Sequence, residues 1–486
     1  MSESRTVLKN EPEARAELKR ELDRTWEAVS SSFSDDSAFS GIDPNELRKM
    51  ISSIDFLPEE GLGFDRALEL TQEKILPHML RTWSTDYMPH LHSPALLESI
   101  ASELMISIYN NSMDSWDQSP AATEVELAVI RLLTKLFGYD DKADGCFTSG
   151  GSQSNISAVM MARDAWCARK LGWDVKKKGN PPEYQALRLY TSELSHFSMD
   201  KACHMLGLGY DAVVKLPVDS LCRIDIEKAE KIIERDTAAG LLPFCIVATI
   251  GTTDFGSVDD IWALRRLADR YGLMLHADAA YGSGAVMSSR YRERTGDLSL
   301  ADSITVDFHK MFLLPISCSA VLVKEASMLD AFQLHADYLN REEDEEDGYV
   351  NLVGKSMQTT RRADALKVFF SFLTRGRKGF DDIISRVIGN AQYFYSKISC
   401  DSDFLAPVPP VLSSVVFALR DGDEANRKVR RALLSQGTVI GQTVMNGRVM
   451  LKFTLLNPAL SHSHIDALIE RIRTSCSALR GAGDKS

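Results

Sequence analysis

The sequence predicts an α/β protein: a buried, mostly parallel sheet with helices on both faces, a helical segment before it, and a smaller α/β unit after it. Three observations predict this. From about Ala122, short runs that are apolar throughout alternate with amphipathic helical segments, the pattern of strands covered on both faces. Two of these runs end on reactive polar residues, where α/β sheets keep their sites. After Gly376 and Gly379 the alternation restarts on a smaller scale.

The elements follow in order. Glu11 to Val29 is charged and helix-forming, with Leu18, Leu22, Trp26 and Val29 at helical spacing. It reads as a surface helix with one buried stripe, or as an arm that packs on a partner subunit. Ser93 to Tyr109 reads as a helix with Pro94 in its first turn. The expected strands are Leu187–Thr191, Ala212–Leu216, Phe244–Ile250, Leu273–Ala277, Ser303–Val306 and Ser319–Val323. Ile226–Thr237 and Asp260–Tyr271 are helices between them. Glu342 to Asp347 is an acidic, solvated loop. In the last unit, Val411–Leu419 and Val449–Leu455 are strands of a small, mostly antiparallel sheet, and Glu424–Gln436 and His464–Ser477 are its helices. This divides the chain into an N-terminal helical segment (1–92), a large domain (93–378) and a small C-terminal domain (379–486).

Composition narrows the function. The chain has 486 residues, 44% of them hydrophobic, enough for a large core. A formal net charge of −12 and the absence of a long basic run argue against nucleic acid as a partner. No apolar run approaches the roughly 18 residues that suggest a membrane span. The start, Met1-Ser2-Glu3-Ser4, is polar and unlike a signal peptide. The eight cysteines are scattered without a C-x-x-C pair, as expected of reduced thiols, so the expected compartment is the cytoplasm. His90-x-His92 and His462-x-His464 lack companion Cys, Asp or Glu ligands, so no metal site is expected.

The chemistry gathers at the strand ends. Leu275-His276-Ala277-Asp278 delivers a carboxylate, and Ser303-Ile304-Thr305-Val306-Asp307-Phe308-His309-Lys310 delivers a lysine directly after a histidine. A carboxylate and an amine on neighbouring strand ends suit pyridoxal phosphate. The lysine forms a Schiff base with its aldehyde, and the carboxylate pairs with its pyridine nitrogen. Ser149-Gly150-Gly151-Ser152 precedes a helix running to about Leu171, and such a turn lets backbone N–H groups approach a phosphate. Taken alone, a Gly-Gly turn is ordinary turn structure. The same holds for Gly251-Thr252-Thr253 and for the lone His196 after the first strand.

In order, G-G-S, S-H, G-T-T, D-A-A-Y and D-F-H-K resemble the group II pyridoxal-phosphate decarboxylases, from about Ser93 to about Leu455. The resemblance implies fold type I, with a seven-stranded-type sheet and a homodimer whose sites lie at the subunit interface. It implies roles residue by residue. Lys310 is the Schiff-base lysine, Asp278 pairs with the pyridine nitrogen, Ala280 packs against the ring and His196 stacks on its other face. Gly151, Ser152 and His309 contact the phosphate, and Thr252 lies near the ring substituents. Asp307 stands where many relatives have asparagine. Tyr338 matches the loop tyrosine that returns a proton to the substrate carbon once carbon dioxide has left. The stretches 114–119 and 351–367 resemble bacterial lysine and diaminobutyrate decarboxylases, which supply diamines for siderophores. The expected substrate is therefore a small diamino acid: diaminobutyrate, ornithine or lysine. Aromatic amino acid decarboxylation, an oxidative variant releasing an aldehyde, and transamination on the same fold are the alternatives.

Overall fold

The computed structural model describes residues 7–334 and 347–483, with side chains to 478. Helices α1 (Pro12–Ser30), α2 (Pro44–Ser52) and α3 (Phe64–Lys74) form the N-terminal segment. Then come α4 (Leu97–Tyr109), α5 (Pro120–Leu136), β1 (Asp144–Thr148), α6 (Gly151–Leu171), α7 (Val175–Lys178), β2 (Leu187–Ser192), α8 (Ser198–Met205), β3 (Val213–Leu216), α9 (Ile226–Ala238), β4 (Leu242–Thr249), α10 (Ile261–Tyr271), β5 (Met274–Asp278), β6 (Ser303–Asp307) and β7 (Ser319–Val323). The chain ends with α11 (Ala365–Ile398), β8 (Phe404–Leu405), β9 (Ser414–Leu419), α12 (Asp423–Ser435), β10 (Gly441–Met445), β11 (Arg448–Thr454) and α13 (His462–Gly483).

The large sheet has seven strands in the order β1-β7-β6-β5-β4-β2-β3. From β6 across to β3 every pairing is parallel, while β7 runs antiparallel to both β1 and β6. Strands β5, β6 and β7 are buried at every residue; β7 is nearly all apolar, whereas β5 and β6 also bury His276, Asp278, Ser303, Thr305 and Asp307. Helix α6 crosses β4 to β7 on one face. The small sheet, β10-β11-β9-β8, is antiparallel throughout.

Three expectations are corrected. Helix α4 begins at Leu97 rather than Ser93, because the Leu96 N–H is drawn away to the Leu313 carbonyl at 2.9 Å. Strand β1 was not foreseen: Asp144-Gly145 has poor strand propensity, and tertiary pairing with β7 overrides it. Gly145 is needed there, since a Cβ would lie 2.5 Å from the Val321 carbonyl oxygen. The expected strand from Val411 begins only at Ser414. Ser413 and Ser414 instead anchor the large domain, their hydroxyls lying 2.8 and 2.9 Å from the Tyr281 hydroxyl.

The apolar stripe of α1 is not covered by its own chain: Trp26 is 64% exposed and Leu22 38%. Helix α11 breaks at Gly376, where φ is 61°. The N-terminal segment is tied to the small sheet through Met88, whose N–H donates to the Val439 carbonyl and whose carbonyl accepts from Thr454. Among the described residues no helix is long and apolar enough to cross a membrane.

Candidate active site

The carboxyl ends of β1, β2, β4, β5 and β6 converge on one edge of the sheet, each handing over to a short turn with a polar residue. Between these turns lies a cavity of about 370 Å³. Gly151, Ser152, His196, Asp278, Ala280, Asp307, His309 and Lys310 all line it. Residues spread over 160 positions of sequence thus meet because the strands carrying them are neighbours.

Asp278 is the last residue of β5 and is 5% exposed. Its Oδ2 accepts from Asn155 Nδ2 at 2.9 Å and its Oδ1 from the Ala280 N–H at 3.2 Å. Two donors aimed at a buried carboxylate satisfy part of its hydrogen-bonding capacity and fix its direction. His196 sits across the cavity mouth in the turn after β2. Its Nδ1 receives the Ser198 backbone N–H at 3.2 Å and lies 2.9 Å from the Ser198 hydroxyl. Burial pushes its pKa below the ordinary histidine value, against the pull of Asp278, so the ring is neutral near neutral pH.

Lys310 Nζ lies 2.9 Å from Asp307 Oδ2. That oxygen receives no hydrogen bond of good geometry, so the contact is an ion pair of distance and not of aligned donation. Asp307 Oδ1 accepts from the Ser319 hydroxyl at 2.6 Å. His309 is held through Nδ1 by the Cys318 backbone, and burial lowers its pKa. The glycine turn lies directly over Asp307: a Cβ at Gly151 would be 2.7 Å from Asp307 Oδ2, so only glycine fits.

The cavity suits pyridoxal phosphate. Its volume is that of a small-cofactor site. The turn before α6 brings backbone and the first turn of a 21-residue helix to one side. Lys310 and Asp278 both reach in. Two further lining residues, Gln153 and Thr249, have buried polar atoms, Nε2 and Oγ1, that bond nothing among the described residues. Such atoms call for a partner that the folded chain does not supply. The carboxylate of Asp307 beside the glycine turn opposes an anion, and Lys310 offsets it.

One expected residue falls elsewhere. Thr252 does not line the cavity. Its hydroxyl is 2.7 Å from that of Ser257 and accepts the Ser257 N–H, closing the turn, while Thr249 and Thr253 face the cavity. Tyr338 lies outside the described residues. Among the lining residues outside the expected set, Asn155, 1% exposed, donates to Asp278. The signal was present, since Asn155 follows Gly151 by four positions and shares its helix face.

The pyridoxal-dependent decarboxylase conserved domain matches residues 56–420. An L-2,4-diaminobutyrate decarboxylase of Rhizobium meliloti (strain 1021) is 37% identical over 483 residues, covering 97% of this chain and 93% of the relative. A protein of the same name from Acinetobacter baumannii is 33% identical over 495 residues, covering 98% and 96%. The solved glutamate decarboxylase domain of the diaminobutyrate-pyruvate transaminase and L-2,4-diaminobutyrate decarboxylase of Vibrio parahaemolyticus superposes with a TM-score of 0.89 at 33% identity, over 98% of both chains. With the fold, the cavity and the sequence in agreement, the chain belongs to the pyridoxal-dependent decarboxylase family and is a pyridoxal-phosphate-dependent carboxy-lyase acting on an amino acid.

Proposed function

We propose that the chain decarboxylates a small L-diamino acid, 2,4-diaminobutyrate first, with ornithine and lysine as the other candidates. The observation that carries this is similarity over nearly the whole chain to two diaminobutyrate decarboxylases. The net charge of −12 also favours a cationic substrate over an acidic one.

Pyridoxal phosphate, when bound, supplies an aldehyde that condenses with an amine and a ring that takes up the electron pair left as carbon dioxide departs. The residues of this chain do the rest. Lys310 presents its Nζ to the aldehyde carbon from the end of β6. Asp278, fixed by Asn155 and Ala280, holds a proton at the pyridine nitrogen. His196, as a neutral imidazole, and Ala280 would hold the ring between them. Gly151, Ser152 and His309 hold the phosphate, with Asp307 as the counter-charge that keeps Lys310 in place. Thr252 acts by shaping the turn that presents Thr253. Tyr338 is proposed as the group that returns a proton to Cα.

The domains are proposed as 1–92, 93–378 and 379–486. The second boundary has support in the break of α11 at Gly376. A homodimer is proposed because α4 offers an uncovered apolar face, with Leu97 79%, Ile100 53% and Tyr109 76% exposed, besides the uncovered stripe of α1. A cytoplasmic location is proposed from the cysteines, none of them in a disulfide. The deciding experiment incubates purified protein and pyridoxal phosphate with a panel of amino acids and identifies the amine or aldehyde formed. A higher kcat/KM for tyrosine, tryptophan or dihydroxyphenylalanine than for every diamino acid would overturn the substrate assignment.

A further inference from the structure

Behind the cavity, a chain of buried side chains on the α6 face of the sheet runs from Ser303 through His276 and Asn155 to Asp278 and to His196. Asn155 is its centre. Asn155, Thr305, His276, Ser303 and Ser198 are each 2% exposed or less and come from α6, β6, β5 and α8. Asn155 Oδ1 lies 2.7 Å from Thr305 Oγ1 and 3.0 Å from His276 Nε2. Asn155 Nδ2 lies 2.9 Å from both Asp278 Oδ2 and Ser198 Oγ.

These contacts determine where every proton sits. A carboxylate accepts only, so the amide nitrogen faces Asp278 and the amide oxygen faces Thr305 and His276. His276 must then carry its proton on Nε2, and its Nδ1 accepts from the Ser303 hydroxyl at 2.8 Å. On the other side Ser198 Oγ accepts from Asn155, which leaves its own proton for His196 Nδ1. With the Ser198 backbone N–H also donating to Nδ1, His196 keeps its proton on Nε2. All four hydrogen-bonding positions of the amide are filled, and a half-turn about its last bond would set two donors against two donors.

We propose that Asn155 is the positioning residue for both the acid and the imidazole of the cleft, and that His276 and Thr305 act through it by locking its amide. It aims Asp278 Oδ2 and at the same time holds the Ser198 hydroxyl that faces His196 Nδ1. A residue that merely filled space here would not need a donor at position 276. The inference rests on the assignment of Asp278 to the pyridine nitrogen, and the experiment separates the two.

The test measures the dissociation constant of pyridoxal phosphate, by fluorescence quenching, and the absorption maximum of the bound cofactor. Each variant is first checked for folding by circular dichroism and thermal melting. Asn155→Ala and His276→Leu should weaken binding by roughly 10- to 100-fold, the range for losing a hydrogen bond to a charged group. Both should shift the maximum. His276→Gln keeps a donor toward Asn155 and an acceptor toward Ser303, so it should restore most of the affinity. Thr305→Val is isosteric, should fold even where Asn155→Ala does not, and should weaken binding by about 3- to 10-fold. Folded variants with wild-type affinity and spectrum, or Leu and Gln at position 276 behaving alike, would overturn the proposal. Asp278→Asn is the control. If it too leaves affinity and spectrum unchanged, the Asp278 assignment is at fault; if it alone changes them, the role of Asn155 is.

Discussion

Asp278→Asn is the sharpest perturbation of the site because it changes one atom and no volume. In the wild type both carboxylate oxygens accept, Oδ2 from Asn155 and Oδ1 from Ala280. An asparagine accepts at only one end. Its amide nitrogen must face either the Asn155 amide nitrogen or the Ala280 N–H, and either way donor meets donor. With Asp278 at 5% exposure, water cannot relieve the conflict, and a stability loss of about 1–3 kcal/mol is expected. The catalytic loss is separate. Removing the charge that holds a buried proton removes about 3–4 kcal/mol, or roughly 10²- to 10³-fold in kcat. The assay is amine release under saturating substrate and cofactor, with bound cofactor counted by absorbance so that weak loading is not read as slow chemistry. A folded, fully loaded Asp278→Asn enzyme within about threefold of the wild-type kcat, under 1 kcal/mol, would refute the reasoning.

Three further outcomes are expected. Borohydride reduction followed by peptide mapping should label Lys310, and Lys310→Ala should lose the visible band and turnover together; a label on another lysine removes it from the mechanism. Glu126 and Arg361 form a bidentate pair at 2.9 and 3.2 Å, with side chains 1% and 4% exposed. Glu126→Gln leaves a buried arginine half-paired, and denaturant unfolding should report a loss of about 3–5 kcal/mol. Burial pushes the His276 pKa down to about 4, from 6.5. Between those values the unfolded chain binds a proton that the folded one does not, so this group's contribution to stability rises with pH across that window. Acidification from pH 6.5 to 4 should cost about 3 kcal/mol at this site. The wild-type minus His276→Gln difference in unfolding free energy isolates it, and equal pH slopes in the two proteins would contradict the assignment.

The sequence by itself determined what local chemistry controls. Runs rich in apolar residues marked β2 to β7, since the strands of a largely buried sheet show little polar alternation, and the reactive residues stood at their ends because open α/β sheets place sites there. Lys310, Asp278, His196 and the glycine turn were legible for that reason. Tertiary structure decided what depends on partners distant in sequence. Strand β1, with Asp144 and Gly145, exists only because β7 offers it a ladder. Helix α4 starts at Leu97 because Leu313, 217 residues away, takes the Leu96 N–H. Thr252, in the turn, and Thr249, at the end of β4, take different roles only once the fold binds the first hydroxyl to Ser257 and sets the second residue against the cavity. Asn155, an unremarked helical asparagine in the sequence, acquires its importance from a histidine two strand positions before the acid and a threonine on the next strand. A hydrogen-bonded centre of that kind has no period and no motif. It is fixed only when four elements pack closely enough to exclude water and leave its donors and acceptors to one another.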